Sequence, residues 1–286
     1  MQKLLIEQHF HGAFGVNFSN CTTEEVLTVA TKIKAKGIGI IFPTLVTDTI
    51  ENIKKQIAVI KKAAELQTPD MAKIYGIHLE GIFLNPKKSG IHNSDLFMMP
   101  TVENYKKIED DFIKIVTIAP EFDTNGELRK YLILKGVKVQ AGHCIGGDLT
   151  DCTGATHLFN AMSGITHRGT STTLSALNDD NIYIEIIADG IHLSDDILKL
   201  IFKTKPLDKI ILISDCLPCA GMTKKECQQF EFAGKTIYYD GVKAVSKDGT
   251  LAGSANLLPN IIERLKKLGL YSPQLIENSY KYHNIN

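Results

Sequence analysis

Residues 74–81 read IYGIHLEG, a short apolar run that stops on a glutamate, Glu80. Four other runs share this build. KLLIEQHFH (3–11) stops at His9 and His11, VKVQAGH (137–143) at His143, TGATH (153–157) at His157, and IILISD (210–215) at Asp215. Each stop is a residue that can bind a metal or move a proton. In a parallel α/β barrel every strand points the same way, so the C-terminal strand ends share one rim, and active sites sit on that rim. Side chains as far apart in the chain as His9 and Asp215 then converge. The pattern points to a distorted (β/α)8 TIM barrel of the metal-dependent hydrolase type.

The segments between these runs agree. Thr22 and Glu25 form a capping box in front of a helix that stops at Gly37. GIIF follows as a second strand, and Asp48 with Glu51 is expected to cap the next helix, whose Ile53, Ile57, Ile60 and Ala64 fall at helical spacing. IYGIHLEG is the third strand. A long loop with Gly90-Ile91-His92 leads to a helix from about Thr101. IKIVTI and VKVQAGH are the fourth and fifth strands, with the helix GELRKYLILKG between them. Between His143 and His157 there is too little chain for a full crossover helix, so one outer helix is expected to be missing. TGATHLF, YIEIIADG and KIILISD complete eight strands. A β excursion is expected at about 229–251, with Asp240-Gly241 and Asp248-Gly249 as its turns, and SANLLPNIIERLKKLG as a final helix. The whole chain, 1–286, reads as one barrel domain, close to the roughly 250 residues such a barrel needs.

Lys+Arg and Asp+Glu are equal at 32 each, which gives no electrostatic reason for a nucleic acid or an anionic membrane as partner. No apolar run approaches a membrane span of about 20 residues, and a cytoplasmic location is expected. Of the six cysteines, Cys216 and Cys219 form a CxxC directly after the last strand; reduced, rim-lining or packing thiols are the expectation.

His9 and His11 are two apart, so on a strand both face the barrel mouth. A pair of packing histidines is an equally good reading of those two residues alone. For His143 or His157 alone, a hydrogen-bonded core histidine is the commoner reading. Two of them on successive strand ends, with the strand-end carboxylate of Glu80, make a shared divalent cation the better account. Asp215 is either a capping carboxylate or the group that takes a proton from attacking water and returns it to a leaving nitrogen. Asn160, Ala161, Arg168 and His192 form an anion-compatible group: a guanidinium fork, an imidazole and backbone amides.

The strings HFHGAFG (9–15), FPTLVT (42–47), HLEGIFLNPKKSGIH (78–92), AGHC (141–144), THLFNAM (156–162), His167-Arg168, IADGIH (187–192), ISD (213–215) and GTLAGS (249–254) resemble, in order, the N-acetylglucosamine-6-phosphate deacetylases of the amidohydrolase superfamily. The resemblance implies hydrolysis of the acetamide of a phosphorylated amino sugar in amino sugar metabolism. It implies Glu80, His143 and His157 as main metal ligands, and His9 and His11 as holders of a second ion. One or two divalent ions per chain, zinc or iron, are thus expected. It further implies Asp215 as catalytic acid and base, His92 on the acetamide carbonyl, and Asn160, Ala161, Arg168 and His192 on the sugar phosphate, some of them across a homodimer. The chain departs from the family pattern in lacking most of the flanking small β domain, in reading HRG where HREPG is usual, in Ile82 after HLEG, and in the short stretch before His157. Two other readings stay open: an amidohydrolase for another N-acyl sugar or a cyclic amide, and a non-catalytic sugar-phosphate-binding protein.

Overall fold

The structure, a computed structural model, describes residues 3–286. Eight parallel strands follow one another around a curled sheet: β1 (Leu5–Phe10), β2 (Ile38–Val46), β3 (Ile77–Glu80), β4 (Ile113–Ile118), β5 (Lys138–Ala141), β6 (Gly154–Ala155), β7 (Tyr183–Ile186) and β8 (Ile210–Leu212). The register aligns the functional ends. Val46 pairs with Glu80, Glu80 with Thr117, and Thr117 with Gln140. Strand β8 stops too early to close the ring. The residues after it do so instead: Asp215 N donates to the His9 carbonyl at 2.9 Å, and His11 N donates to the Cys216 carbonyl at 2.8 Å. The barrel is therefore distorted at its seam, and the seam runs through site residues.

Helix α1 (Thr23–Lys34) starts at the full Thr22/Glu25 capping box. The start of α2 (Ile50–Leu66) corrects the sequence reading. Its cap is Thr49, whose hydroxyl accepts from Asn52 N; Asp48 instead accepts from the Thr49 N–H and the Asn52 amide. On the core side of α2, Ile53, Ile57, Ile60 and Ala63 are buried, each isoleucine contributing roughly 1.5–3 kcal/mol by leaving water. Helix α3 (Val102–Lys106) is a single turn with a bit over, and α4 (Glu127–Leu134) precedes β5.

No helix joins β5 to β6. Arg129 on α4 stands in for it. Its buried guanidinium donates to the Asp123 carboxylate and carbonyl and to the Thr150 carbonyl, which fixes the irregular backbone of this connection. The outer helix α5 (Thr172–Asn178) then follows β6, and α6 (Asp195–Thr204) follows β7. The expected β excursion is a four-stranded antiparallel meander: β9 (Gln229–Phe232), β10 (Lys235–Tyr239), β11 (Ala244–Ser246) and β12 (Leu251–Gly253). It folds over the barrel mouth, with Phe232 edge-on to His11 at 5.0 Å. Helix α7 (Leu258–Lys267) lies where the sequence places it.

Helix α8 (Gln274–His283) was not anticipated. It closes the opposite end of the barrel. Asn278 donates to the carbonyls of Leu207 and Ile210, both at 2.7 Å, Tyr282 meets Thr153 at 2.9 Å, and His283 Nε2 lies 2.9 Å from Gln8 Oε1. Its buried residues mix Leu275, Tyr280 and Tyr282 with Asn278 and Ser279, so the apolar repeat that marks a helix in sequence is interrupted by polar positions. No helix among the described residues is long and apolar enough to cross a membrane.

Barrel interiors are usually filled with layers of branched apolar side chains. Here one buried layer is polar. Gln8 and Gln140 donate to Glu185 Oε1 at 2.6 and 3.1 Å, and Thr156 donates to Gln140 Oε1 at 2.9 Å. Thr156 and Thr117 hydroxyls are 2.8 Å apart, Thr117 is 2.8 Å from His78 Nε2, and His78 Nδ1 is 3.2 Å from the Gln8 carbonyl. The contacts run full circle. A buried polar layer is tolerable only when its members satisfy one another, and then it is stiff.

Candidate active site

Glu80 ends β3 and is buried, and five histidines point ring nitrogens at its carboxylate. Oε2 lies 2.9 Å from His11 Nε2, 3.4 Å from His9 Nε2 and 3.6 Å from His92 Nε2. Oε1 lies 2.8 Å from His157 Nε2 and 3.2 Å from His143 Nε2. Asp215 Oδ1 adds contacts of 3.2 Å to His11 and 3.4 Å to His9. Of three donor sets with atoms within 4.8 Å of one another, one lies below the rim (His9, His78 and Glu185) and two include Glu80: a near set of His9, His11, Glu80 and Asp215, and a far set of Glu80, His143 and His157.

The mixture of imidazoles and carboxylates suits a divalent ion. One atom makes the fit explicit: His9 Nε2 is fully buried between Glu80 and Asp215 yet has no hydrogen-bond partner. Burial pushes the Glu80 carboxyl up, but the charge of His9 and the hydrogen bonds of His11, His143 and His157 outweigh it and hold the group well below the ordinary carboxylate range. Burial likewise opposes ionisation of Asp215, and His11 and His9 overcome it. His9 shows the converse: burial disfavours its cation, while Glu80, Glu185 and Asp215 raise its pKa well above the ordinary value. The carboxylates draw the pKa of His9 and His11 upward, and a divalent ion would supply the same positive charge with the histidines neutral. His92 differs. Burial lowers its pKa to about 4, and its Nδ1 is held 2.8 Å from the Thr47 hydroxyl, so it stays a neutral ring beside the centre.

Local backbone geometry places these groups. His143, His157 and Asp215 each follow a strand end, and each has left-handed backbone, with φ of 48°, 32° and 51°. Non-glycine residues rarely adopt this region, and where they do the surroundings over-determine it. The turn lets each side chain curl back over the rim.

The donors floor a cavity of about 360 Å³. Asn160, Ala161 and His192 line it, as the sequence reading expects. Asp189 accepts from His192 at 2.8 Å and from the Ser254 hydroxyl at 2.9 Å; burial opposes its charge, but the His192 hydrogen bond brings its pKa down to about 2. His9, buried beneath the floor, does not line the cavity, and Arg168 is the other exception among the expected residues. It is exposed in the run 164–170 and does not line the cavity. Lys87, Lys88 and the stretch Thr250–Gly253 do line it and were missed as site residues; the two lysines sit in the same loop as His92, which was the available signal. Cys216 and Cys219 are buried free thiols, with Cys216 Sγ 3.2 Å from the Gly12 carbonyl. They pack behind the rim and do not line the cavity.

No protein-family model matches the chain. The N-acetylglucosamine-6-phosphate deacetylase of Bacillus subtilis is 33% identical over 262 residues, covering 87% of this chain. The chain spans 65% of that relative's length, just under two thirds. The structure of the Pasteurella multocida N-acetylglucosamine-6-phosphate deacetylase matches 99% of the chain with a TM-score of 0.87 at 25% identity, 76% of that chain being covered. That of a mutant of the Mycobacterium smegmatis deacetylase, in complex with N-acetyl-D-glucosamine-6-phosphate, shares the fold with a TM-score of 0.90 at 23% identity, covering 99% of this chain and 77% of the other. Over the barrel and its rim, the chain is thus similar to N-acetylglucosamine-6-phosphate deacetylases.

Proposed function

We propose that the chain hydrolyses the acetamide of N-acetylglucosamine 6-phosphate to acetate and glucosamine 6-phosphate. The observation that carries this reading is the convergence of five histidines and Asp215 on Glu80 at the floor of an open cavity. Glu80, His143 and His157 would hold one divalent ion, zinc or iron, and His9 and His11 with Glu80 and Asp215 a second. A bound ion supplies Lewis acidity and lowers the pKa of water at the site. Asp215 takes the proton as the water oxygen bonds to the acetamide carbon. His92, neutral and fixed by Thr47, steadies the carbonyl oxygen as charge develops there. Asp215 then returns the proton to nitrogen as the carbon–nitrogen bond breaks.

Asn160, Ala161 and His192 would receive the sugar phosphate, with Lys87 and Lys88 adding positive charge. A related solved protein of the same fold holds N-acetyl-D-glucosamine-6-phosphate, which supports that choice of ligand. Arg168 lies outside its own cavity on an exposed loop with Ile165. The reading therefore includes a cytoplasmic homodimer in which Arg168 meets the phosphate of a second copy.

An acetate-release assay on a small panel tests this. Turnover is expected on the 6-phosphate and is lost on metal removal. Equal kcat/KM on the unphosphorylated sugar removes the phosphate subsite from the reading, preference for another N-acyl sugar or a cyclic amide moves the substrate, and tight phosphate-sugar binding without acetate release leaves a binding protein.

A further inference from the structure

The polar layer beneath the rim contains one carboxylate, Glu185, in the middle of β7. It is 1% exposed, and every contact it makes is with a donor. Gln8 and Gln140 hold Oε1 at 2.6 and 3.1 Å. Oε2 lies 3.0 Å from His9 Nδ1 and 3.4 Å from the His157 backbone N–H. Two amides on two other strands thus fix the carboxylate, and the carboxylate fixes His9. With the Nδ1 proton committed to Glu185, a neutral His9 ring that takes an ion presents its lone pair at Nε2, the buried atom without a hydrogen-bond partner between Glu80 and Asp215.

The other donor histidines are not backed in this way. His143 Nδ1 meets a neutral carbonyl, that of Lys88, at 2.8 Å. The Nδ1 atoms of His11 and His157 have no partner at all. A carboxylate behind a ligating imidazole fixes its tautomer and orientation and raises its basicity, and losing such a partner typically costs about 10- to 100-fold in metal affinity. We propose that Glu185 is a positioning residue that, through His9, makes the near set of donors an ion site distinct in affinity from the far set. This rests on the reading above that the cluster holds divalent ions.

The test is zinc titration of the full chain, stripped with a chelator, against a chromophoric competitor. Wild type is expected to show two classes of site. In Glu185→Gln the amide N–H either faces the Gln8 and Gln140 donors or donates to His9 Nδ1 and drives its proton onto Nε2, so one class should weaken by about 10- to 100-fold while the other moves by less than about threefold. Glu185→Asp keeps the charge but draws it back from His9, and should fall between. His9→Ala should remove the same class that Glu185→Gln weakens. Melting of the stripped proteins gives the control: a merely structural Glu185 lowers that melting temperature and leaves both affinities unchanged. Unchanged affinities in Glu185→Gln, or an equal loss in both classes, overturn the proposal and leave the hydrolase reading standing. A wild type that binds neither zinc nor ferrous iron overturns both.

Discussion

The near and far halves of the centre share Glu80 and differ in almost everything else. The far half takes His143 and His157 from two short strands, β5 and β6, joined by a connection without a helix. Both residues sit on left-handed backbone and line the open cavity. The near half takes His9 from β1 and His11 from the residue just past its end. His9 is wholly buried and lies over the hydrogen-bonded layer that contains Glu185. One half is shaped by backbone turns at the surface of the rim, and the other by a rigid polar floor. Similar ligand chemistry can therefore rest on two supports, and these should fail differently.

The largest effect should come from removing what the halves share. Glu80→Gln is expected to lower turnover by about 10³-fold or more and to empty both halves, read by elemental analysis of the purified protein. Retention of one ion would show that a half stands without the bridging carboxylate. Next, Asp215→Asn removes the proposed proton carrier and one near-half donor. Turnover should fall by about 10²- to 10⁴-fold, the range of general acid–base catalysis, while the far-half ion stays bound. Loss of both ions would show the halves to be inseparable.

The smallest effect concerns the floor. Burial lowers the His283 pKa from 6.5 to about 3, and the ring contacts Gln8, which in turn holds Glu185. The folded chain keeps His283 neutral where the unfolded chain protonates it. Stability from this residue is thus fully present above about pH 6.5 and is lost as pH falls toward 3. The slope is at most about 1.4 kcal/mol per pH unit. His283→Gln should flatten the acid limb of a urea-unfolding series relative to wild type, and parallel limbs would remove His283 from that account.

Much of this is legible from sequence because the relevant signals are local. Strand parity puts His9 and His11 on one face, and apolar runs that end in Glu80, His143, His157 and Asp215 mark the rim. The Thr22/Glu25 box and the apolar stripe of α2 follow from short-range spacing. What escaped depends on distant partners. Helix α8 buries Asn278 against the carbonyls of Leu207 and Ile210, which breaks the apolar stripe of Leu275 and Tyr282. Glu185 within YIEI could face solvent or core, and only the positions of Gln8, Gln140 and His9 decide that it faces in. Asp48 and Thr49 are both good caps, and the choice between them turns on which side chain reaches Asn52 N. Arg168 carries the right chemistry at a place its own cavity does not reach.

The seam between β1 and β8 has a consequence for motion. Its two bonds run from Asp215 N to the His9 carbonyl and from His11 N to the Cys216 carbonyl, and the side chains of His9, His11 and Asp215 gather at Glu80. Breathing of the wall at that edge would pull the proton carrier away from the paired imidazoles in the same movement. A cation seated there would act as a clasp, so amide exchange at His11 and Asp215 should slow on loading and quicken on chelation, while the wall opposite keeps its pace.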